Sequence, residues 1–121
     1  MDRLITSPDP AKEFFTQERC WILEIINSTK DDAVSIARAR VEPGVTTQLH
    51  RLNGVDERYL IIAGKGAVRV GGGIEHVVGE GDVVVIPSGM SQQIANIGPS
   101  DLLFYCICSP RFAPDCYETL E

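Results

Sequence analysis

The feature that most constrains this chain is the punctuation of its apolar runs. "RCWILEIINS", "AVSIARARV", "TTQLHRL", "ERYLIIA", "GAVRV", "IEHVV", "DVVVIP", "QQIAN" and "DLLFYCIC" follow one another. Most are bounded by breaks such as "NG", "GKG", "GGG", "GEGD" and "PSG". Runs this short, rich in β-branched and aromatic residues, suit strands, and glycine or proline between them suits tight turns. About ten strands so closely spaced leave no room for the crossover helices of a βαβ fold. They predict an antiparallel all-β sandwich or barrel. A short N-terminal helical turn is predicted around "DPAKEFF", with Pro10 early in it and Phe14 and Phe15 docking it. At 121 residues and 44% apolar content, the chain is expected to form one domain, 1–121, with a real core.

Charge and patterning exclude several function classes. A formal charge of −6 argues against a nucleic-acid partner, whose phosphates call for a surplus of Lys and Arg. The glycine-rich "VGGGIEHVVGEGDV" joins strand to strand and opens no helix, so no phosphate-cradling loop is expected there. No apolar stretch approaches the ~18 residues of a membrane span. The amino end, "MDRLITSPDPAKEF", is polar and proline-broken, unlike a secretory signal. A cytoplasmic location is therefore expected, and with it reduced thiols at Cys20, Cys106, Cys108 and Cys116. Cys106 and Cys108 lie two apart in one strand, about 6.6 Å between Cα atoms, at the upper edge of disulfide reach. Small buried thiols are the expectation for both.

Two stretches carry more. Residues 43–66, "PGVTTQLHRLNGVDERYLIIAGKG", place Gly44, then five residues, then His50, with Glu57 further on and Gly64 six residues beyond it. Residues 81–96, "GDVVVIPSGMSQQIAN", place Gly81, Pro87, Gly89, Gln92 and Asn96 in a second fixed spacing. Together, in this order, they resemble the two conserved motifs of the cupins. The resemblance implies a double-stranded β-helix, or jelly-roll, barrel. It also implies a divalent metal such as manganese, iron, nickel or zinc, held by three histidines and a glutamate. Here Leu52 stands at the second histidine and Gln92 at the third. The implied ligand set shrinks to His50, Glu57 and Gln92, with coordination positions left open.

Strand parity brings the same residues together without the family. His50 and Leu52 share one strand face, Glu57, Tyr59 and Ile61 another, and Gln92, Ile94 and Asn96 a third. If these faces line the barrel, an ionised Glu57 would be costly unless paired or bound to a cation. A metal is one solution. A metal-free hydrogen-bonded cluster of His50, Glu57 and Gln92 is the other. Glu57 and Tyr59 are the candidate proton-transfer residues. Arg51 and Arg58 fall out of phase and are expected on the outer face. The sharper alternative is an arginine clamp on an acidic substrate. His76, beside a turn, is expected exposed. Gly44, Gly64, Gly81, Pro87, Gly89 and Asn96 are expected to serve turns.

Two functions stay open at this point. One is a metal-dependent enzyme acting on a small organic acid or sugar-like molecule in the barrel. The other is a non-catalytic barrel that binds or senses a small molecule without metal. A homodimer is expected, because "RCWILEIINS" is apolar on both faces and suits a packing edge.

Overall fold

The structure is a computed structural model and describes residues 4–121. Its described residues form two facing antiparallel sheets. Chain order is β1 (Phe14–Phe15), β2 (Trp21–Ile26), β3 (Ser35–Val41), β4 (His50–Leu52), β5 (Asp56–Ala63), β6 (Lys65–Val70), β7 (His76–Gly79), β8 (Val83–Ile86), β9 (Gln92–Asn96), β10 (Leu102–Ser109) and β11 (Tyr117–Thr119). One sheet runs β1-β2-β3-β10-β5-β8 and the other β11-β4-β9-β6-β7. The all-β jelly-roll reading holds. No helix among the described residues is long and apolar enough to cross a membrane.

Three details differ from expectation. The predicted helical turn is there as a 3-10 turn, Pro10–Lys12, capped by the Asp9 side chain on the Ala11 N–H. Phe14 and Phe15 do not dock it. They form a two-residue strand against Trp21 and Ile22, with Phe14 and Phe15 each about half exposed. On one side of β2, β1 pairs with Trp21 and Ile22 only, and on the other side β3 pairs along the strand. Finally, Tyr117–Thr119 pairs with β4, a strand too short and polar to be read from sequence.

Alternation places the core as parity predicts. Ile61, Ile86, Ile94, Leu102 and Val41 are all at most 1% exposed and fill one half of the barrel. In the other half, β3 turns Ser35, Ala37 and Ala39 inward. Side chains this small leave the space between the sheets unfilled, and a cavity opens there.

Asn96 ties the filled half together. Its Nδ2 donates to the Val41 and Ser100 carbonyls, each at 2.8 Å, and its Oδ1 accepts the Gly98 N–H. A turn-supporting side chain was the expectation there.

Candidate active site

The cavity has a volume of about 160 Å3. That is the size of a hole that holds one benzene-sized molecule. His50 and Leu52 reach it from one sheet, and Glu57, Tyr59, Phe104 and Cys106 from the other.

His50 is fixed on two sides. Its Nδ1 lies 2.7 Å from the Gln48 carbonyl oxygen, which can only accept, so Nδ1 carries the proton and Nε2 is the nitrogen left for a ligand. The Tyr117 ring stacks on the imidazole at 4.8 Å between centroids and 19° between planes. The Tyr117 hydroxyl donates to Gln48 Oε1, so the last strand braces the segment that holds the imidazole.

Glu57 is the lining carboxyl whose protonation is moved into the neutral range. Burial pushes its carboxyl up to about 7; the neighbouring Glu18 charge adds to the shift, and the Gln92 amide and the Cys108 and Cys106 thiols oppose it. Cys108 Sγ donates to Glu57 Oε2 at 3.6 Å. Glu57 Oε1 is buried with no hydrogen-bond partner. Behind it, the Tyr59 hydroxyl donates to Gln92 Oε1. The Gln92 amide thus presents N–H to the carboxylate, yet Gln92 Nε2 also lacks a hydrogen bond of good geometry.

Sequence reasoning missed Glu18. It sits in the turn between β1 and β2, where its N–H donates to Thr16 Oγ1 and its carbonyl accepts the Gln48 N–H at 3.0 Å. Arg19, next to it, takes a left-handed φ of 71°. Burial raises the Glu18 carboxyl, and the charge of His50 lowers it. Glu24, at the rim, is raised by burial as well. The missed signal was parity: Glu18, Cys20, Ile22 and Glu24 are alternate residues, and all line the cavity.

The arginines take no part. Arg51 pairs with Glu118 at 2.9 Å and Arg58 donates to Ser109 Oγ, and neither lines the space. His76 is exposed, and Gln93 donates to the Thr47 carbonyl. All four cysteines are free. Cys20, Cys106 and Cys108 line the cavity, but burial pushes each thiol up, Cys20 to about 12, which makes them poor nucleophiles.

Residues 37–108, more than half of the chain, match the family model described as a cupin domain. The chain is a cupin. An uncharacterized protein of Methanocaldococcus jannaschii is 30% identical to it over 118 residues, covering 96% of this chain and 94% of that protein. Among solved structures, the nucleoside dehydratase Pac13 of Streptomyces superposes with a TM-score of 0.78 at 13% identity, covering 95% of this chain and 90% of the other. A predicted oxalate decarboxylase from Thermotoga maritima superposes at 0.69 with 25% identity, covering 87% and 93%.

Cupins often hold divalent metals, and the resemblance gives that role here to His50, Glu57 and Gln92. The structure brings the three to one region: His50 and Gln92 are paired across β4 and β9, and Gln92 contacts the residues beside Glu57. Their donor set does not fit the ion. Leu52 donates nothing, and Gln92 has its one acceptor oxygen on Tyr59 and its N–H side toward Glu57. Gln92 also stays behind the wall of the cavity. Among the described residues, no three His, Cys, Asp or Glu side chains are grouped to hold a metal.

Proposed function

We propose that this cupin binds a small polar molecule in its cavity and moves a proton on it, with Glu57 as the acid and His50 as the base, without a divalent metal. The observation that carries the reading is Glu57: a buried carboxyl pushed up to about 7, lining the cavity, with one oxygen lacking a hydrogen bond. A carboxyl titrating near the working pH is suited to giving up a proton during reaction.

His50 supplies the other half. It lines the cavity from the opposite sheet, and its Nδ1 proton is anchored by the Gln48 carbonyl, which leaves Nε2 for a ligand. The chemistry that fits is loss of water, or a related elimination or isomerisation. His50 Nε2 takes a proton from carbon, and the C–H electron pair forms a new C=C bond. The neighbouring C–O bond breaks toward oxygen, and Glu57 protonates the departing hydroxyl so that it leaves as water. Proton exchange between the two side chains and solvent resets the pair. The apolar lining of Leu52, Phe104 and Ala39 keeps bulk water from the ion pair formed midway. A nucleoside dehydratase built on the same fold supports the class, although about 160 Å3 suits a molecule smaller than a whole nucleoside. Three thiols in the lining suit a reducing compartment, which supports a cytoplasmic location.

Deuterium incorporation tests the reading. The protein is incubated in D2O with a panel of polyols and amino alcohols, and products are followed by NMR and mass spectrometry. Incorporation that survives chelator and disappears in Glu57→Gln and His50→Gln is the expected result. A near-stoichiometric transition metal in protein purified without chelator or tag, lost in His50→Ala along with activity, would overturn it in favour of the metal enzyme. Binding of panel members without exchange would favour the non-catalytic barrel.

A further inference from the structure

The charge around the cavity is one-sided. Glu57 sits deep in it, Glu18 part-way and Glu24 at the rim, while among the described residues no lysine or arginine lines it. The arginines nearest in sequence are committed elsewhere. Arg51 holds Glu118, Arg58 holds Ser109, and Arg38 and Arg40 hold Glu13 on the outer face of β3. Among the described residues, His50 is the one lining side chain able to carry positive charge. An acidic ligand would therefore meet carboxylates with only His50 to pair it.

Two observations make this a ligand site and not just an acidic surface. Glu57 is 7% exposed, lines the cavity, and has Oε1 without a partner. The carboxylates are also spread along the wall: no three candidate ligand side chains among the described residues gather around one point. A metal ion needs its donors concentrated, whereas an organic cation accepts them at a distance and on different sides. The lining also carries aromatic rings, the half-exposed Phe14 together with Phe104, Phe112 and Tyr59. Such faces attract a cation and cover its carbon body.

We propose that the cavity takes a small organic cation, an amine of roughly ten heavy atoms or fewer, with its ammonium between Glu18 and Glu57 and its carbon body against the phenylalanine rings. The inference rests on the reading of the cavity as a small-molecule site and names its ligand class, an alternative to the small organic acid or sugar-like molecule expected from sequence. Glu18 acts here as a specificity residue.

The test uses three probes of one shape: 4-aminocyclohexanol, cyclohexane-1,4-diol and 4-hydroxycyclohexanecarboxylate, titrated calorimetrically into the full chain at neutral pH. The amine is expected to bind at least roughly tenfold tighter than the diol, and the carboxylate not at all. Glu18→Gln should weaken the amine by about that factor and leave the diol unchanged. Equal binding of amine and diol, binding of the carboxylate as tight as either, or no amine binding up to about 10 mM overturns the proposal. Failure of the proton-transfer reading shows separately. Glu18 is outside the acid–base pair, so exchange in D2O can be absent while the amine preference and its loss in Glu18→Gln persist.

Discussion

The Tyr59 hydroxyl donates to Gln92 Oε1, and that contact decides which end of the amide faces Glu57. With its oxygen held, Gln92 offers hydrogens to the carboxylate and opposes the rise that burial imposes. Removing the hydroxyl frees the amide to turn. In Tyr59→Phe the Glu57 carboxyl should therefore titrate above its present value of about 7, read by infrared difference spectroscopy against Glu57→Gln. The lost hydrogen bond at a fully buried amide should also cost about 1–2 kcal/mol of stability, measured by denaturant unfolding. An unmoved Glu57 titration would sink the account of what Gln92 does.

Glu57 also sets a pH dependence of folding. Its folded value, about 7, lies above the ordinary carboxylate value of 4.5, so between these the native state holds a proton that the unfolded chain has released. Stability from this group is fully present below about pH 4.5, falls as pH rises, and levels off above about 7. The full loss is of order 3 kcal/mol. Glu57→Gln should remove this fall, so the difference between wild type and variant, followed by urea unfolding across pH, isolates it. Glu18, also raised by burial, contributes in the same direction to both proteins.

Leu52 and Gln92 stand where the resemblance implies histidines, and Leu52 already lines the cavity beside His50. Restoring both, as Leu52→His with Gln92→His, should create a complete nitrogen and carboxylate donor set. Elemental analysis after incubation with manganese, iron, nickel or zinc should then show close to one ion per chain, against none in wild type. Equal, substoichiometric metal in both would show that the backbone, not only the side chains, has departed from a metal site.

Gly64 separates β5 from β6 at a φ of +88°, and a Cβ there would lie 2.8 Å from the Asp101 carbonyl oxygen and 2.9 Å from Leu102 Cα. Both atoms are backbone, at the start of the strand that carries Phe104, Cys106 and Cys108 and in the residue just before it, so they have little room to move. Gly44 has a similar φ of +79° with nothing within 4 Å. Gly44→Ala should cost about 1 kcal/mol through backbone conformation alone, and Gly64→Ala roughly 3 kcal/mol or more. Unfolding curves of the two variants give the comparison directly, and equal losses would show that contact plays no part.

Much of this protein was legible in the chain. The period of two placed His50, Leu52, Glu57, Tyr59, Gln92 and Asn96 on inward faces because a strand offers each side chain only two directions. Glycine and proline spacing fixed the turns, since few other residues tolerate those dihedrals. Glu18 was legible only through its alternation with Cys20, Ile22 and Glu24, which begins in a turn; Tyr117 lies in a three-residue strand, where no period extends far enough to read. Tertiary structure alone decided that Gln92 spends its oxygen on Tyr59, that among the described residues no basic side chain other than His50 lines the cavity, and that burial pushes the Glu57 carboxyl up to about 7. Those outcomes depend on distances between residues far apart in sequence and on exclusion of water. Local sequence specifies neither until the two sheets close on each other.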